Sequence, residues 1–191
     1  MKTHARVVVV GGGVVGVSTL YHLAKKGWSD VVLLERKELT SGSTWHAAGL
    51  LPLFNMSYSV GQVHKYSVRF YQELQEETGM DVGFRNVSNI RLASKPDRMD
   101  EYRQYAGVAS TIGVDVQLLS PDEVKEYWPM CNTDGLIGAI RHPDDGYIQP
   151  ADLTQALARG ARDRGAEIYR NTTVTAISRT LEGEWKVTTD K

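Results

Sequence analysis

The residues best suited to chemistry lie between Gly11 and Leu50. Gly11-Gly12-Gly13-Val14-Val15-Gly16 fits G-x-G-x-x-G. Glu35 stands roughly 20 residues further on, where an acid meets the ribose in dinucleotide sites. Residues Thr40 to Leu50 then read TSGSTWHAAGL, with His46 set among small side chains. Glycines at these positions let a turn close against a pyrophosphate, and the following helix points its amide N–H groups at the phosphates. A carboxylate at the ribose accepts hydroxyl hydrogen bonds and repels a 2′-phosphate, which disfavours NADP. The histidine adds a different chemistry. With an unperturbed pKa of about 6.5, a neutral imidazole can attack an electrophilic carbon. The 8α-methyl of a flavin is such a carbon in one tautomer, and Ala47, Ala48 and Gly49 leave room for a ring edge beside His46. The nucleotide motif alone leaves nicotinamide and flavin cofactors open, so the loop carries the distinction. A loop histidine is more often a hydrogen-bonded structural residue, and both roles stand at this point.

These groups need a strand, a turn and a helix to hold them, and the neighbouring residues supply all three. Arg6 to Val10 (RVVVV) is a β-branched run suited to a buried parallel strand. Gly11 permits the tight turn, Gly13 removes a side chain that would block the pyrophosphate, and Gly16 lets the helix pack closely. Val17, Leu20, Leu23 and Ala24 recur at helical spacing, and Gly27 suits a left-handed C′ position. Val31 to Leu34 forms a second apolar run that ends on Glu35. The stretch from Val7 to Leu23 resembles a signal-peptide core in hydropathy, but it holds three consecutive glycines and no small-residue cleavage site.

Beyond the loop the strand and helix rhythm becomes mixed. The pattern predicts a helix over 57–78 with Val60, Val63, Tyr71 and Leu74 inward, stopped by Gly79, and an extended segment over 84–93. A helix over 96–112, a strand over 114–119 and a short helix opening at Ser120-Pro121-Asp122-Glu123 follow, the last with the makings of a capping box. That helix ends by Pro129; 136–141 reads as a strand and 142–146 as a turn. Residues 52–145 are taken as an inserted mixed α+β segment on the substrate side of the cofactor. Residues 1–51 and 146–191 are taken as an α/β, Rossmann-like nucleotide domain of the glutathione-reductase type. Its later part contains a helix from Pro150 with Leu153, Leu157 and Ala161 on one face, then strands at 167–169, 173–177 and 185–189. A complete two-half nucleotide fold needs further strands and a segment closing over the other side of the cofactor. The chain alone is therefore expected to hold the cofactor without turning over substrate, and its open apolar edges to favour self-association.

Composition narrows the function classes. The net charge is −1, from 22 basic and 23 acidic residues without a basic block, so nucleic-acid binding has no electrostatic support. No apolar run reaches the length of a membrane span. Cys131, the single cysteine, reads as a small core residue, and a reducing compartment is expected. His4, His22, His64 and His142 show no metal-like spacing and are read as non-catalytic. Trp45, Tyr58, Tyr66, Tyr71 and Trp128 could line an amine pocket, although aromatic residues in such segments more often belong to the core.

The segments VVVVGGGVVGVS, LLERKELTSGSTWHAAGL, EETG, IRLAS and DDGYIQPADLTQALARGAR together resemble the N-terminal part of the flavin-dependent dimethylglycine and sarcosine dehydrogenases, within the D-amino-acid oxidase-like group. The resemblance runs over essentially all 191 residues, and GSTWHAAGL is its most specific part. It implies an FAD cofactor bonded covalently to His46, and FAD contacts from Val14, Val15, Glu35, Arg36, Gly42, Ser43, Thr44, Trp45, Ala47, Ala48, Gly49, Leu50 and Val174, beside Gly11, Gly13 and Gly16. It also implies oxidation of a small N-methylated amino acid by hydride transfer to the flavin, giving an iminium product. Folate would be bound only through a C-terminal region of longer relatives. The electron acceptor, the particular amine and the acid–base residues stay open. Two other readings are a non-catalytic flavin-fold protein like the regulatory subunit of pyruvate dehydrogenase phosphatase, and a noncovalent flavin amine oxidase. The expected compartment is the cytoplasm, or the mitochondrial matrix if a presequence has been removed.

Overall fold

The computed structural model describes residues 1–191. In chain order the elements are β1 (Val7–Val10), α1 (Val14–Lys25), β2 (Val31–Leu34), a 3-10 helix (Ser43–His46), β3 (Leu50–Leu51), α2 (Tyr58–Thr78), β4 (Arg85–Asn86), β5 (Asn89–Ala93) and α3 (Pro96–Ile112). They continue with β6 (Gln117–Leu119), α4 (Pro121–Tyr127), β7 (Gly138–His142), β8 (Gly146–Tyr147), α5 (Pro150–Arg162), β9 (Glu167–Tyr169), β10 (Val174–Arg179) and β11 (Trp185–Thr189). Contacts divide them into one unit of Met1–Gly49, Glu73–Gly83 and Gln149–Lys191, and another of Leu50–Gln72 and Phe84–Ile148.

The first unit is built on a parallel sheet in the order β1-β2-β9, with Val8 opposite Val32 and Leu33 opposite Ile168. All four residues of β2 are buried, as the central strand of a parallel sheet requires. Helix α1 buries Val17, Leu20, Tyr21 and Ala24 and packs against α5, whose Leu153, Leu157 and Ala161 face inward at the expected spacing. The approach is close at Gly160, where a Cβ would lie 2.7 Å from Tyr21 Cε2. Gly27 follows α1 with φ +85°, and its N–H bonds the Ala24 carbonyl. Strands β10 and β11 form a separate antiparallel hairpin.

Residues 73–83, assigned from sequence to the 52–145 segment, group with this unit. The Tyr21 hydroxyl donates to Glu77 at 2.8 Å, and Arg164 reaches the same carboxylate at 2.8 Å. The end of α2 is held by this buried-edge charge network, which no local periodicity announces.

The second unit contains two three-stranded antiparallel sheets, β3-β8-β4 and β5-β7-β6. Helix α3 covers the latter, burying Met99, Tyr102, Tyr105, Ala109 and Ile112 against Ala93 and Ile140. Helix α3 matches its predicted range, and the capping box at Ser120 forms in full, with Glu123 N–H bonding the serine hydroxyl and Ser120 N–H bonding the Glu123 carboxylate. Cys131 is a buried member of a small cluster with Leu119, Val124 and Ala139.

Several local expectations are corrected. Val60 and Val63 are exposed, because the inward face of α2 carries Gly61, whose Cβ would lie 2.5 Å from Ile112 Cδ1. The segment 84–93 breaks into β4 and β5 at Ser88, which has φ +60°. The ladder of β6 holds only Gln117–Leu119, since Val114 N–H turns back to the Ala109 carbonyl at the end of α3. His142 is the last residue of β7, shifted one place from the predicted strand end, and has no solvent exposure.

His142 and Asp145 are the ionisable groups most strongly affected by this core. Asp145 is 2% exposed and accepts the Leu53 N–H at 2.8 Å, while the Tyr105 hydroxyl donates to the Leu53 carbonyl at 3.0 Å. Burial holds the His142 imidazole down at about 4, assisted by the Arg91 cation, and pushes the Asp145 carboxyl up to about 6. The consequences have opposite signs. Asp145 favours the fold when protonated, a contribution complete below its ordinary value of 3.8 and lost as pH rises through 6. His142 favours the fold when neutral, a contribution complete above 6.5 and lost as pH falls through 4. Asp145→Asn keeps an acceptor for Leu53 and removes the ionisation. Urea unfolding should show the variant more stable than wild type by about 1–2 kcal/mol at pH 7.5, with the gain vanishing near pH 4. An equal gain at both pH values would rule out ionisation as its source.

Candidate functional site

The site begins where β1 runs into the glycine turn. Gly11 has φ +110°, a conformation closed to most side chains, and its N–H bonds the Leu34 carbonyl at 2.9 Å. Gly16 sits under the turn, where a Cβ would come within 2.0 Å of the Gly11 carbonyl oxygen. Its tightest contact is therefore the turn itself, with the strand next at Val9. Gly13 caps α1, and a Cβ there would lie 3.1 Å from Thr44 Oγ1. Gly12, which received no role from the sequence motif, is also crowded, by side chains: a Cβ would lie 2.6 Å from Leu39 Cδ2 and 2.8 Å from Glu35 Cγ. The run of three glycines was the signal that could have identified it.

Glu35, expected from sequence to meet a ribose, follows β2 and holds the backbone around it. Its Oε2 accepts the Gly12 N–H at 2.6 Å and its Oε1 accepts the Lys37 N–H at 2.8 Å. The carboxylate thus latches the glycine turn to the end of β2 while keeping further lone pairs for a ligand. Glu35→Ala should weaken FAD binding by about 1.5–3 kcal/mol, the range for hydrogen bonds to a charged group, and should also loosen the turn. Isothermal titration against FAD checks the first part and amide exchange at Gly12 the second; unchanged affinity would remove Glu35 from the ribose.

The His46 loop is fastened to the same turn at two points. Thr40, buried and with φ +73°, donates its N–H to the Gly12 carbonyl at 3.0 Å. Thr44, also buried, accepts the Val14 N–H on its hydroxyl at 2.9 Å. The Trp45 N–H returns to the Thr40 carbonyl at 3.2 Å. His46 ends the 3-10 helix with an exposed ring, and its Nδ1 lies 3.1 Å from the Gly42 carbonyl oxygen. A carbonyl only accepts, so Nδ1 carries the proton of the neutral ring and the Nε2 lone pair is left available.

The structure therefore brings together Gly11 to Gly16, Glu35 and the loop to His46. Val14 and Val15 open α1, with Val15 78% exposed, and Arg36, Gly42, Ser43, Ala47 and Ala48 are exposed around the turn and loop. Gly49 has φ +76°. Val174, half-buried, begins β10 two residues after Thr172, whose N–H bonds the Glu35 carbonyl at 2.9 Å. Leu50 belongs to the second unit as the exposed first residue of β3. The aromatic residues weighed for an amine pocket do not form the core favoured for them: Trp45, Tyr58, Tyr66 and Trp128 are exposed and Tyr71 is half-buried. No helix is long and apolar enough to cross a membrane.

A glycine turn in which a Cβ would clash at Gly12 and Gly16 and in which Gly11 has φ +110°, a helix opening onto it and an acid at the end of β2 fit the diphosphate and ribose of a dinucleotide. Residues 6–191 match the model of the FAD dependent oxidoreductase family. The chain belongs to that family. Human mitochondrial dimethylglycine dehydrogenase is 43% identical over 188 residues, covering 98% of this chain and 22% of that protein. Human mitochondrial sarcosine dehydrogenase is 44% identical over 178 residues, covering 93% and 19%. Among solved structures, L-proline dehydrogenase from P. horikoshii superposes with a TM-score of 0.91 at 28% identity, over all of this chain and 50% of that one. The chain thus spans about a fifth of the length of these curated relatives. Its α/β fold is that of FAD dependent oxidoreductases.

Proposed function

We propose that this chain supplies the FAD-holding part of an oxidoreductase that takes a hydride from a small N-methylated amino acid, with FAD attached covalently through His46. The carrying observation is the placement of His46, exposed on a 3-10 helix tied to the glycine turn, with its Nδ1 proton facing the Gly42 carbonyl. Dimethylglycine and sarcosine, named in the two relatives, are the substrates that reading favours. Their mitochondrial labels support a matrix location, with the cytoplasm as the alternative.

FAD, when bound, accepts the hydride; the chain's own residues hold and orient it. The amides of the glycine turn and of the start of α1 that are not taken by Leu34, Glu35 and Thr44 would receive the diphosphate, and Glu35 the ribose. His46 would hold the flavin through Nε2, since Nδ1 faces the Gly42 carbonyl. The attachment would replace a C–H bond of the 8α-methyl, with dioxygen taking the electron pair and two protons, one from that carbon and one from the imidazole, as hydrogen peroxide. Attachment should raise the flavin potential and so favour hydride removal from an unactivated N-methyl carbon.

The test is anaerobic addition of dimethylglycine, sarcosine, glycine or proline to the FAD-loaded protein while the visible flavin band is followed. Bleaching by an N-methylated amine and not by the primary amine supports the substrate class. Bleaching by glycine or proline alone overturns it, and bound flavin that no amine reduces is the outcome expected if these residues hold FAD without completing the substrate site.

A further inference from the structure

We infer that Thr44 is a positioning residue for His46, setting the attachment loop against α1 through its hydroxyl; this rests on the covalent-FAD reading above. The first N–H groups of a helix have no partner within the helix. Here the Val14 N–H is taken by the hydroxyl of Thr44, thirty residues later in the chain, at 2.9 Å. The threonine is 7% exposed, so the bond is shielded from competing water. The fit is close from the other side as well, since Gly13 has its Cβ position only 3.1 Å from the same oxygen. Thr44 and His46 lie two residues apart in one 3-10 helix of four residues. A single tight turn of this kind has little freedom between its ends, so fixing Thr44 fixes where the imidazole emerges.

The second tie, Thr40 N–H to the Gly12 carbonyl, is backbone to backbone and anchors the start of the loop. Between that anchor and His46, Thr44 provides the side-chain bond to the glycine turn and α1. Attachment requires Nε2 to approach the 8α carbon along a defined line, and misplacement by about 1 Å can cost about 100-fold in such a step. Thr44 thus acts on the reaction through His46. In the covalent step the N–C bond would form as a C–H bond breaks, and dioxygen would take the electron pair with two protons, one from carbon and one from the imidazole, as hydrogen peroxide.

The experiment compares Thr44→Val, which keeps the β-branched shape and removes the hydroxyl, with Thr44→Ser, which keeps it. Without FAD, amide exchange should accelerate at Val14 and across 42–49 in Thr44→Val and stay near wild type in Thr44→Ser. With FAD, the rate at which flavin becomes acid-stable should fall at least about tenfold in Thr44→Val and recover in Thr44→Ser. In a His46→Ala background the Kd for FAD should rise by a smaller factor than the attachment rate falls on adding Thr44→Val, Thr44 being itself one of the residues the resemblance sets against FAD. Unchanged exchange in folded Thr44→Val overturns the inference. A fall in FAD affinity matching the fall in attachment rate also overturns it, showing Thr44 to be a direct FAD ligand. If Thr44→Val does not fold, Thr44→Ser decides: wild-type exchange and attachment support the hydroxyl's role, while defects in both show that shape matters instead. Wild-type protein without acid-stable flavin would refute the covalent reading alone, since the exchange measurement does not depend on it.

Discussion

Gly16→Ala is expected to remove measurable FAD binding, lowering affinity at least about 100-fold, and to destabilise the first unit. The added Cβ would lie 2.0 Å from the Gly11 carbonyl oxygen, a backbone atom that cannot rotate away as a side chain could. Relief requires the glycine turn to move, and the turn is fastened by the Gly11 N–H bond to Leu34, by Glu35 on Gly12 and by Thr40 on the Gly12 carbonyl. Overpacking in such a setting costs about 1–3 kcal/mol before any bond is lost, and a displaced turn no longer offers its amides in the same geometry. Gly107→Ala is the matched control: it lies on the exposed side of α3 with nothing within 4 Å of its Cβ position. There alanine should stabilise slightly, by about 0.5–1 kcal/mol, through helix propensity. Thermal melts and FAD titration of the two variants separate the effects. Gly16→Ala with wild-type affinity would mean that the turn is softer than its bonds indicate.

His46→Ala should abolish acid-stable flavin while leaving noncovalent FAD binding in place. On the proposed reading the two functions have different anchors: Gly11 to Gly16 and Glu35 would serve the diphosphate and ribose, and His46 the attachment. In wild-type protein, acid precipitation should leave flavin on the chain, and the His46 peptide should carry the added mass. In the variant all flavin should stay in the supernatant, and reduction by amine should slow at least about tenfold. That factor corresponds to about 1.4 kcal/mol, which a fall of about 30 mV in a two-electron potential would remove from the driving force. An unmodified His46 peptide from the wild type would refute attachment. Equal reduction rates with attachment lost would show that the covalent bond serves retention of FAD and not its potential.

Much of the first unit was legible because its signals are local. A β-branched run, a glycine motif, one amphipathic helix and an acid at a strand end each follow from a few consecutive residues, and β1, α1, β2, α5 and β9 formed where those signals stood. The ranges of α3 and the capping box of α4 were legible for the same reason, since proline, serine and glutamate act within one turn. Strand ends in the second unit were not, because β4, β6 and β8 are two or three residues long and exist through pairing with distant partners. On α2, Leu74 is buried as expected, whereas Val60 and Val63 were misread because valine suggested burial; the inward residue there is Gly61, whose lack of a side chain makes room for Ile112.

The sequence alone determined the kind of site: a glycine turn of the dinucleotide type, an acid at the end of the second strand and a histidine among small residues, all within fifty positions. These are covalent facts about residue type and order, and the turn, helix and strand that present them are short-range structures. Tertiary structure decided how the parts are joined. Glu35 latches Gly12, Thr44 caps α1 at Val14, Gly42 selects the His46 tautomer, and Glu77 ties residues 73–83 to Tyr21 and Arg164. Most of these bonds link residues tens of positions apart, and a hydrogen bond forms only where both partners arrive within about 3 Å in the right orientation. Even the local Gly42 contact depends on a loop conformation fixed by the two ties to the glycine turn. Residue identity offers many such pairings, and packing selects the few that exist.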